Sequence, residues 1–223
     1  CPTGVGWLLG VDRRQHSLLW AYRYSLPQAN PNENRQQLAV ADYRPLNARW
    51  TPSAPMIVGH RVLFTPSEEP TLVCLNLQDG TLLWQQPKGN FLYLAGVVDD
   101  RAILVGTDHV TALSLATGNE VWKTTIDEAD GHPCGHGALA GNHFYLPLQS
   151  GQLLTIDTTA GTKLSATFLP DGYPLGNLLL YGNQLLSQSP FGVDSFELRE
   201  PILAELQQRR DQNPDDPWTY LRE

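Results

Sequence analysis

Apolar and small polar residues alternate in short stretches along most of the chain. The clearest stretch is LNLQDGTLLWQQ, residues 75–86, where Leu75 and Leu77 flank Asn76. A period of two is expected for a strand that buries one of its faces. A glycine follows, and then an aliphatic residue and Trp84. The pattern therefore predicts a strand, a tight turn and a second strand.

The same twelve-residue pattern occurs four times. The copies are LGVDRRQHSLLW, VCLNLQDGTLLW, TALSLATGNEVW and LTIDTTAGTKLS, which end at Trp20, Trp84, Trp122 and Ser165. A small polar residue stands eight positions before each end, namely Asp12, Asn76, Ser114 and Asp157. The turn position holds Gly80, Gly118 and Gly161, with His16 in the first copy. Glycine adopts a positive φ at little steric cost, as a short hairpin turn requires.

A further pair of strands precedes three of the copies. These pairs are predicted at residues 54–64, 94–105 and 136–146, and a fifth partial copy, 177–187, runs on into VDSFEL without the turn or the tryptophan. Trp84 and Trp122 lie 38 residues apart, close to the roughly 40 to 50 residues of a four-stranded propeller blade. Helical repeats need apolar residues at three-and-four spacing, which is absent. We therefore predict an all-β fold, a partial β-propeller of four-stranded antiparallel blades, about four to five blades' worth.

The blade boundaries follow from this alignment. The propeller segment is predicted to span 1–200, with blades near 5–27, 52–88, 90–127, 133–169 and 174–198 and a long insertion at 28–51. The tail, 201–223, is predicted to contain a short C-terminal helix, because apolar residues share one helical face and Pro217 suits a first helical position. Two interpretations stay open for the tail, a surface helix or the start of a tetratricopeptide repeat.

Neighbouring blades must cover each other, because a single blade cannot bury both of its faces. We predict that Trp20, Trp84 and Trp122 fill the junctions between blades, with the indole N–H on a backbone carbonyl. The small polar residue before each turn is predicted to hydrogen-bond backbone groups across the turn.

Charge and cysteine content limit the partners. The 223 residues carry a formal net charge of −8, and the fifteen Lys and Arg residues are scattered. Phosphate binding needs a basic face, so we expect no nucleic-acid partner.

No apolar run approaches the roughly 18 residues that span a bilayer, so no transmembrane segment is expected. Cys1, Cys74 and Cys134 include no Cys-x-x-Cys pair and predict neither a disulfide framework nor a zinc knuckle.

The repeat resembles that of a known family. ALSLATGNEVW is similar to the A-x-D-x-x-T-G-x-x-x-W repeat of pyrroloquinoline-quinone (PQQ) type propellers, and CLNLQDGTLLW is a close variant. The resemblance covers about residues 5–198 and is shared by quinone-dependent dehydrogenases and by non-catalytic lipoproteins that assist outer-membrane assembly. Family rings have seven or eight blades, which implies further blades in a longer parent chain or in a partner chain. The resemblance also implies a periplasmic or cell-envelope location.

HPCGH, residues 132–136, is the most chemically suggestive stretch. Strand alternation would put His132, Cys134 and His136 on one face near a central channel. Imidazole and sulfur ligands suit a transition metal such as zinc, copper or haem iron. Three ligands spaced two apart close a tetrahedron poorly, however, and Pro133 and Gly135 indicate an irregular entry loop. A metal site and an ordinary loop are therefore both open.

The insertion supplies candidate partner-binding residues. It mixes aromatic and cationic side chains that favour protein contacts, namely Tyr43, Arg44, Arg49 and Trp50. A long loop on a rigid scaffold is often functional, although a polar excursion without a function is the alternative.

Two functions are consistent with these features. We expect a non-catalytic scaffold that binds a protein or peptide partner and holds no cofactor. The alternative is a quinone- or metal-dependent oxidoreductase, for which the resemblance implies PQQ with calcium or a transition metal. Such dehydrogenases carry an adjacent Cys-Cys pair near the quinone, and this sequence has none. Fold alone does not decide between the two.

Overall fold

The chain forms five antiparallel sheets, which confirms the all-β partial propeller. The computed structural model describes residues 1–3, 6–24, 54–66, 71–168, 175–197 and Asp211. Sheet 1 contains two strands, sheets 2, 3 and 4 contain four strands each, and sheet 5 contains three.

The strands follow one another in chain order within each sheet, so every complete sheet is a meander. Sheet 1 consists of β1 Trp7–Asp12 and β2 Ser17–Arg23. Sheet 2 consists of β3 Met56–Val58, β4 Arg61–Phe64, β5 Thr71–Asn76 and β6 Leu82–Pro87. Sheet 3 consists of β7 Phe91–Val98, β8 Arg101–Gly106, β9 His109–Ser114 and β10 Glu120–Thr125. Sheet 4 consists of β11 Ala138–Ala140, β12 His143–Pro147, β13 Gln152–Asp157 and β14 Lys163–Phe168. Sheet 5 consists of β15 Asn177–Tyr181, β16 Gln184–Ser189 and β17 Gly192–Glu197.

The repeated turn has the backbone geometry that the sequence predicts. The three turn glycines have φ of 72°, 75° and 73°, at Gly80, Gly118 and Gly161. His16 adopts the same left-handed region with φ of 49°. In three of the four turns the polar residue before the turn accepts backbone N–H groups, as in Asp157, whose Oδ1 accepts from the N–H groups of Thr159 and Ala160 at 2.7 and 2.8 Å. Asp12 and Asn76 do the same in their own turns.

The core lies between consecutive sheets rather than within one of them. Four apolar clusters fill the four junctions, and each cluster combines residues of one sheet with residues of the next. In sheet 2, Leu75 packs towards sheet 1, whereas Cys74, its neighbour in the same strand, packs towards sheet 3. Strand alternation thus gives each inner sheet two buried faces.

Each repeat tryptophan reaches from the outermost strand of its own sheet to the next sheet. The indole N–H of Trp20 donates to the carbonyl of Leu77 at 2.8 Å, that of Trp84 to Leu115 at 2.9 Å, and that of Trp122 to Thr158 at 3.0 Å. The acceptor lies in every case at the start of the turn of the following sheet. The same type of hydrogen bond therefore occurs at all three junctions.

The turn glycine of the following sheet lies directly beneath the indole ring. A Cβ placed on Gly80 would come within 2.6 Å of the Trp20 ring. The same distance is 2.6 Å from Gly118 to Trp84 and 2.5 Å from Gly161 to Trp122. These positions therefore need glycine for two reasons: the backbone has a positive φ, and the indole occupies the space that a Cβ would fill.

Some predicted features lie outside the described residues. They include the insertion at 28–51 with Tyr43, Arg44, Arg49 and Trp50, and the predicted helical tail at 201–223 apart from the single residue Asp211. In the portion of the chain that the structure covers, we find no helix with the length and apolar character needed to cross a bilayer.

We predict that Gly118→Ala destabilises the protein more than Gly141→Ala does. Both glycines have positive φ, 75° and 53°, but a Cβ on Gly141 would meet nothing within 4 Å. Gly141→Ala should therefore cost only the strain of a left-handed alanine, about 1 kcal/mol. Gly118→Ala should cost about 1 to 3 kcal/mol more, because the indole of Trp84 must move. Urea unfolding of both variants measures the difference, and equal losses would show that the indole contact is unimportant.

Candidate functional site

The HPCGH segment precedes β11 rather than beginning it. The N–H of Cys134 donates to the carbonyl of Pro147 at 3.0 Å, and Pro133 forms an isolated bridge with Leu148. The segment therefore runs along the end of β12 before the first strand of sheet 4 starts. This irregular path fits the entry loop that Pro133 and Gly135 indicate in the sequence.

The three candidate ligands of the segment contact three different groups. His132 Nδ1 lies 2.8 Å from the carbonyl oxygen of Thr107. The Cys134 thiol donates to the carbonyl of Leu175 at 3.4 Å. The His136 ring packs on Tyr93 with 4.2 Å between ring centroids. Among the described residues, the structure gathers no three His, Cys, Asp or Glu side chains into a group that could hold a metal ion. The metal site therefore has no support beyond the sequence pattern that predicts it.

Tyr93 is a site residue that the sequence analysis missed. It lies buried in β7, where its hydroxyl accepts the N–H of Gly137 at 2.8 Å and donates to the carbonyl of Gly135 at 3.3 Å. Burial raises the pKa of the Tyr93 hydroxyl, so the group remains a donor at neutral pH. The only signal in the sequence is a tyrosine among the aliphatic residues of an inner strand. Tyr93 fastens the segment to sheet 3.

The same segment also holds sheet 5. The N–H of Leu178 donates to the carbonyl of His136 at 2.7 Å, and the N–H of His136 donates to Asn177 Oδ1 at 2.9 Å. Gly135 permits this approach, because a Cβ there would lie 2.2 Å from the carbonyl oxygen of Gly176. HPCGH therefore forms a backbone joint between sheets 4 and 5.

This joint stands at the one junction between described sheets where the repeat lacks its tryptophan. Ser165 replaces the tryptophan in β14, and all six residues of that strand are exposed. Gly176 is also tightly packed within sheet 5, because a Cβ on it would come within 1.7 Å of the Gln188 carbonyl oxygen. Backbone contact between glycines thus replaces the indole at this position.

Burial sets the protonation of the joint. It raises the pKa of the Cys134 thiol to about 11 and lowers the pKa of the His136 imidazole below its usual value. At neutral pH the segment therefore presents a protonated thiol and a neutral imidazole. A metal ion would need the thiolate, so its binding would have to displace a proton and the hydrogen bond to Leu175.

A second polar cluster lies near His132, at the turn between β8 and β9. His109 Nδ1 lies 2.7 Å from Asp108 Oδ1, and the Asn90 amide donates to the same oxygen at 2.8 Å. The hydrogen bond from His109 lowers the pKa of the Asp108 carboxyl. A carboxylate and a histidine are two parts of a hydrolase triad. Among the described residues, however, no Ser, Thr or Cys side chain hydrogen-bonds the His109 ring, and the cluster instead fixes the turn to the start of β7.

We predict slow alkylation of Cys134 and Cys74. Burial raises the pKa of both thiols to about 11, so at pH 8 only a small fraction of either is thiolate, the reactive form. Cys1 is exposed and serves as the internal control. Peptide mass spectrometry after timed iodoacetamide treatment should find Cys1 modified first. Modification of Cys134 at the rate of Cys1 would contradict the buried joint.

We predict that His136 makes the protein less stable as the pH falls. Its folded pKa is lowered by burial, so the unfolded chain takes up the proton first. The stability is complete above the unfolded pKa of about 6.5 and is lost as the pH falls towards the folded pKa. The loss in melting temperature between pH 7 and pH 5 should therefore be smaller in His136→Asn than in the natural protein. An equal loss in both would contradict the assignment, and His132→Asn, at an exposed position, is the matched control.

Comparison with known proteins relates this architecture to a family. The family model for outer membrane protein assembly factor BamB, a PQQ-type model, matches residues 5–172. No curated protein matches the chain. BamB from Moraxella catarrhalis has a TM-score of 0.57 and 18% identity over 86% of this chain and 55% of its own. The computationally designed Ika4 protein has a TM-score of 0.53 and 16% identity over 66% of this chain and 90% of its own.

These likenesses bear on different questions. At identities of 18% and 16% the solved structures show the fold alone. The chain spans about half the length of the Moraxella protein, 55%. The family model, in contrast, covers most of the sequence and includes all three tryptophan repeats. Its match over residues 5–172, together with the sheets and junctions described above, shows that the chain belongs to the PQQ-like propeller family of outer membrane protein assembly factor BamB.

Proposed function

We propose that this protein is a non-catalytic scaffold that binds a protein or peptide partner during outer-membrane protein assembly in the bacterial envelope. The observation that carries the proposal is the family match over residues 5–172. The name of that family describes an assembly factor rather than an enzyme. The Moraxella structure supports the same fold for this chain.

The side chains in and around HPCGH that could carry chemistry make structural contacts instead, which supports a scaffold. Cys134, His136 and Tyr93 are engaged with backbone or ring groups that join sheets 3, 4 and 5. Three indole contacts join sheets 1 to 4 in succession. A framework built in this way holds its connections in fixed positions, which is what a binding platform requires. On this proposal the protein needs no metal and no quinone.

The binding residues that we propose lie in the insertion at 28–51. This insertion connects the last strand of sheet 1 to the first strand of sheet 2, and the matching connection between sheets 3 and 4 contains HPCGH. Arg44 and Arg49 are cationic residues on a chain of net charge −8, and Tyr43 and Trp50 add large apolar rings. Arginine and aromatic residues supply most of the binding energy at many interfaces.

We also propose that the propeller is larger than the sheets described here. The chain spans 55% of the length of Moraxella catarrhalis BamB, and an uncovered sheet face is unfavourable. The remaining blades would come from a longer envelope protein that contains this chain or from a partner chain.

Photo-crosslinking tests the scaffold proposal. A crosslinking residue at Tyr43 or Trp50, in the bacterium that encodes the protein, should trap a component of the outer-membrane assembly machinery. With the purified partner, the double variant Arg44→Glu and Arg49→Glu should weaken binding by roughly tenfold to a hundredfold. The control Lys123→Glu changes an exposed cation on β10 and should leave binding within about twofold.

Two results would contradict the proposal. One is the absence of any crosslinked protein from both positions. The other is a quinone absorption band or a stoichiometric metal in the purified full chain, which would favour the oxidoreductase with PQQ and calcium or a transition metal.

A further inference from the structure

The turn of sheet 3 differs from the other three turns in the group that caps its backbone. In sheets 1 and 4 an aspartate stands before the turn, and one of its oxygens accepts the N–H groups of the residues two and three positions later. In sheet 2 the Asn76 side chain accepts the first of these N–H groups, that of Gln78, at 2.8 Å. Sheet 3 has Ser114 at the same position. This turn therefore has no carboxylate or amide oxygen of its own there.

The backbone N–H groups of the sheet 3 turn have no acceptor within the protein. Ala116 and Thr117 stand two and three positions after Ser114, and among the described residues nothing accepts a hydrogen bond from the N–H of either. The turn is otherwise regular, because the N–H of Gly118 donates to the carbonyl of Ser114 at 2.7 Å, the bond that also closes the turns of sheets 2 and 4. Ala116 and Thr117 are both exposed, so a group from solution can reach them.

An arginine of the same sheet lies beside this turn. Arg101 begins β8 and pairs with Ser114 across the two strands. Its ion pair with Asp99 is long, 3.8 Å between Nη1 and Oδ2, and the Asp99 side chain is 69% exposed. A guanidinium has five N–H donors, so one distant carboxylate leaves donors of Arg101 for a second anion.

The turn of sheet 4 shows how these surroundings act on a carboxylate. Hydrogen bonds from the N–H groups of Ala160 and Thr159 lower the pKa of the Asp157 carboxyl, and smaller contributions from His143 and Arg101 lower it further. His143 pairs with Asp157 within sheet 4, whereas Arg101 belongs to the preceding sheet. Two backbone N–H groups and basic side chains of two sheets thus favour the ionised carboxyl at this position.

A second arginine faces the sheet 3 turn from the preceding sheet. Arg61 begins β4 as Arg101 begins β8, and Leu63, two residues later, packs in the cluster between sheets 2 and 3. Strand alternation therefore puts Arg61 on the side of sheet 3. Its Nε is buried and has no hydrogen-bond partner among the described residues. Arg61 thus stands to the turn of sheet 3 as Arg101 stands to the turn of sheet 4.

We propose that the turn of sheet 3 binds a carboxylate group that another molecule supplies. The carboxylate accepts the N–H groups of Ala116 and Thr117, and charge-assisted bonds of this kind are stronger than neutral ones. Arg101 and Arg61 add positive charge on the two sides of the turn. A carboxylate is the favoured anion because aspartate carboxylates accept the equivalent N–H groups in sheets 1 and 4. This inference does not depend on the proposed function.

Amide NMR of the full 223-residue chain, titrated with sodium acetate, tests the proposal. The amide proton resonances of Ala116 and Thr117 should move downfield and reach a plateau as acetate binds. Sodium chloride at the same ionic strength is the salt control. The resonances of Gln78 and Thr159, whose N–H groups already have acceptors, should move much less.

Ser114→Asp supplies the carboxylate from the chain itself, as in sheets 1 and 4. In this variant the resonances of Ala116 and Thr117 should lie downfield without acetate, and their response to added acetate should be lost. The remaining resonances of the same spectrum show whether the variant is folded.

Glutamine variants test the two cations. Arg101→Gln and Arg61→Gln should each weaken acetate binding, Arg101→Gln by roughly tenfold, because a charged donor is removed. Arg14→Gln is the matched control, since Arg14 is exposed in the turn of sheet 1, where Asp12 already caps the backbone. It should leave acetate binding within about twofold of the natural value.

Two short peptides distinguish the sources of the carboxylate. One is capped at both ends and contains a single aspartate, and the other has a free C-terminal carboxylate and no acidic side chain. The peptide that moves the resonances of Ala116 and Thr117 at a lower concentration than acetate does identifies the source, a side chain or a chain end.

Four results would overturn the proposal. The first is an acetate response no larger than that to chloride, and the second is a Ser114→Asp variant that still responds to acetate as the natural protein does. The third is an equal response to sulfate, which would indicate a general anion site. The fourth is the failure of both peptides to move the resonances of Ala116 and Thr117.

Discussion

A small antiparallel sheet with two apolar faces cannot be stable alone, so the fold depends on the contact that joins one sheet to the next. At three of the four junctions that contact is an indole ring lying on a glycine turn, with the indole N–H on a carbonyl of the same turn. Apolar burial, a hydrogen bond and a backbone conformation are thereby combined at one point. Removal of an indole of this kind from a core costs about 3 to 5 kcal/mol, a large share of the stability of a small domain. The apolar clusters between sheets extend inwards from these points.

The sequence predicted the regular part of the structure well because the repeat writes it several times. A period of two, a glycine at a fixed position and a spacing of 38 residues determine strands, turns and the number of strands per unit. The dual use of Gly118 was not predictable in the same way. Its positive φ follows from the turn, but its place beneath Trp84 depends on how two sheets pack.

The HPCGH segment shows why the site was harder to predict than the fold. Strand alternation suggested one shared face for His132, Cys134 and His136, and that expectation assumed a regular strand. Pro133 lacks an N–H, and Gly135 fits against the backbone of Gly176, so the segment instead runs between sheets and sends each side chain to its own contact. Tyr93, which holds the segment, lies 39 residues before His132 in the sequence and belongs to no recognisable motif. Local pattern therefore could not reveal the joint.

The indole and the glycine of each contact belong to successive repeats, and this offset affects how such a protein can change in evolution. Sheets 2 and 3 each carry a tryptophan that contacts the next sheet and a glycine that contacts the indole of the preceding sheet. Duplication or loss of one of these whole units therefore leaves every indole with a glycine turn to contact. A change of a few residues within a unit instead disturbs both of the contacts that the unit makes. Copying or loss of complete units is thus the least disruptive route by which the number of blades can change, whereas sheet 1, which carries His16, and sheet 4, which carries Ser165, each keep only one side of the contact.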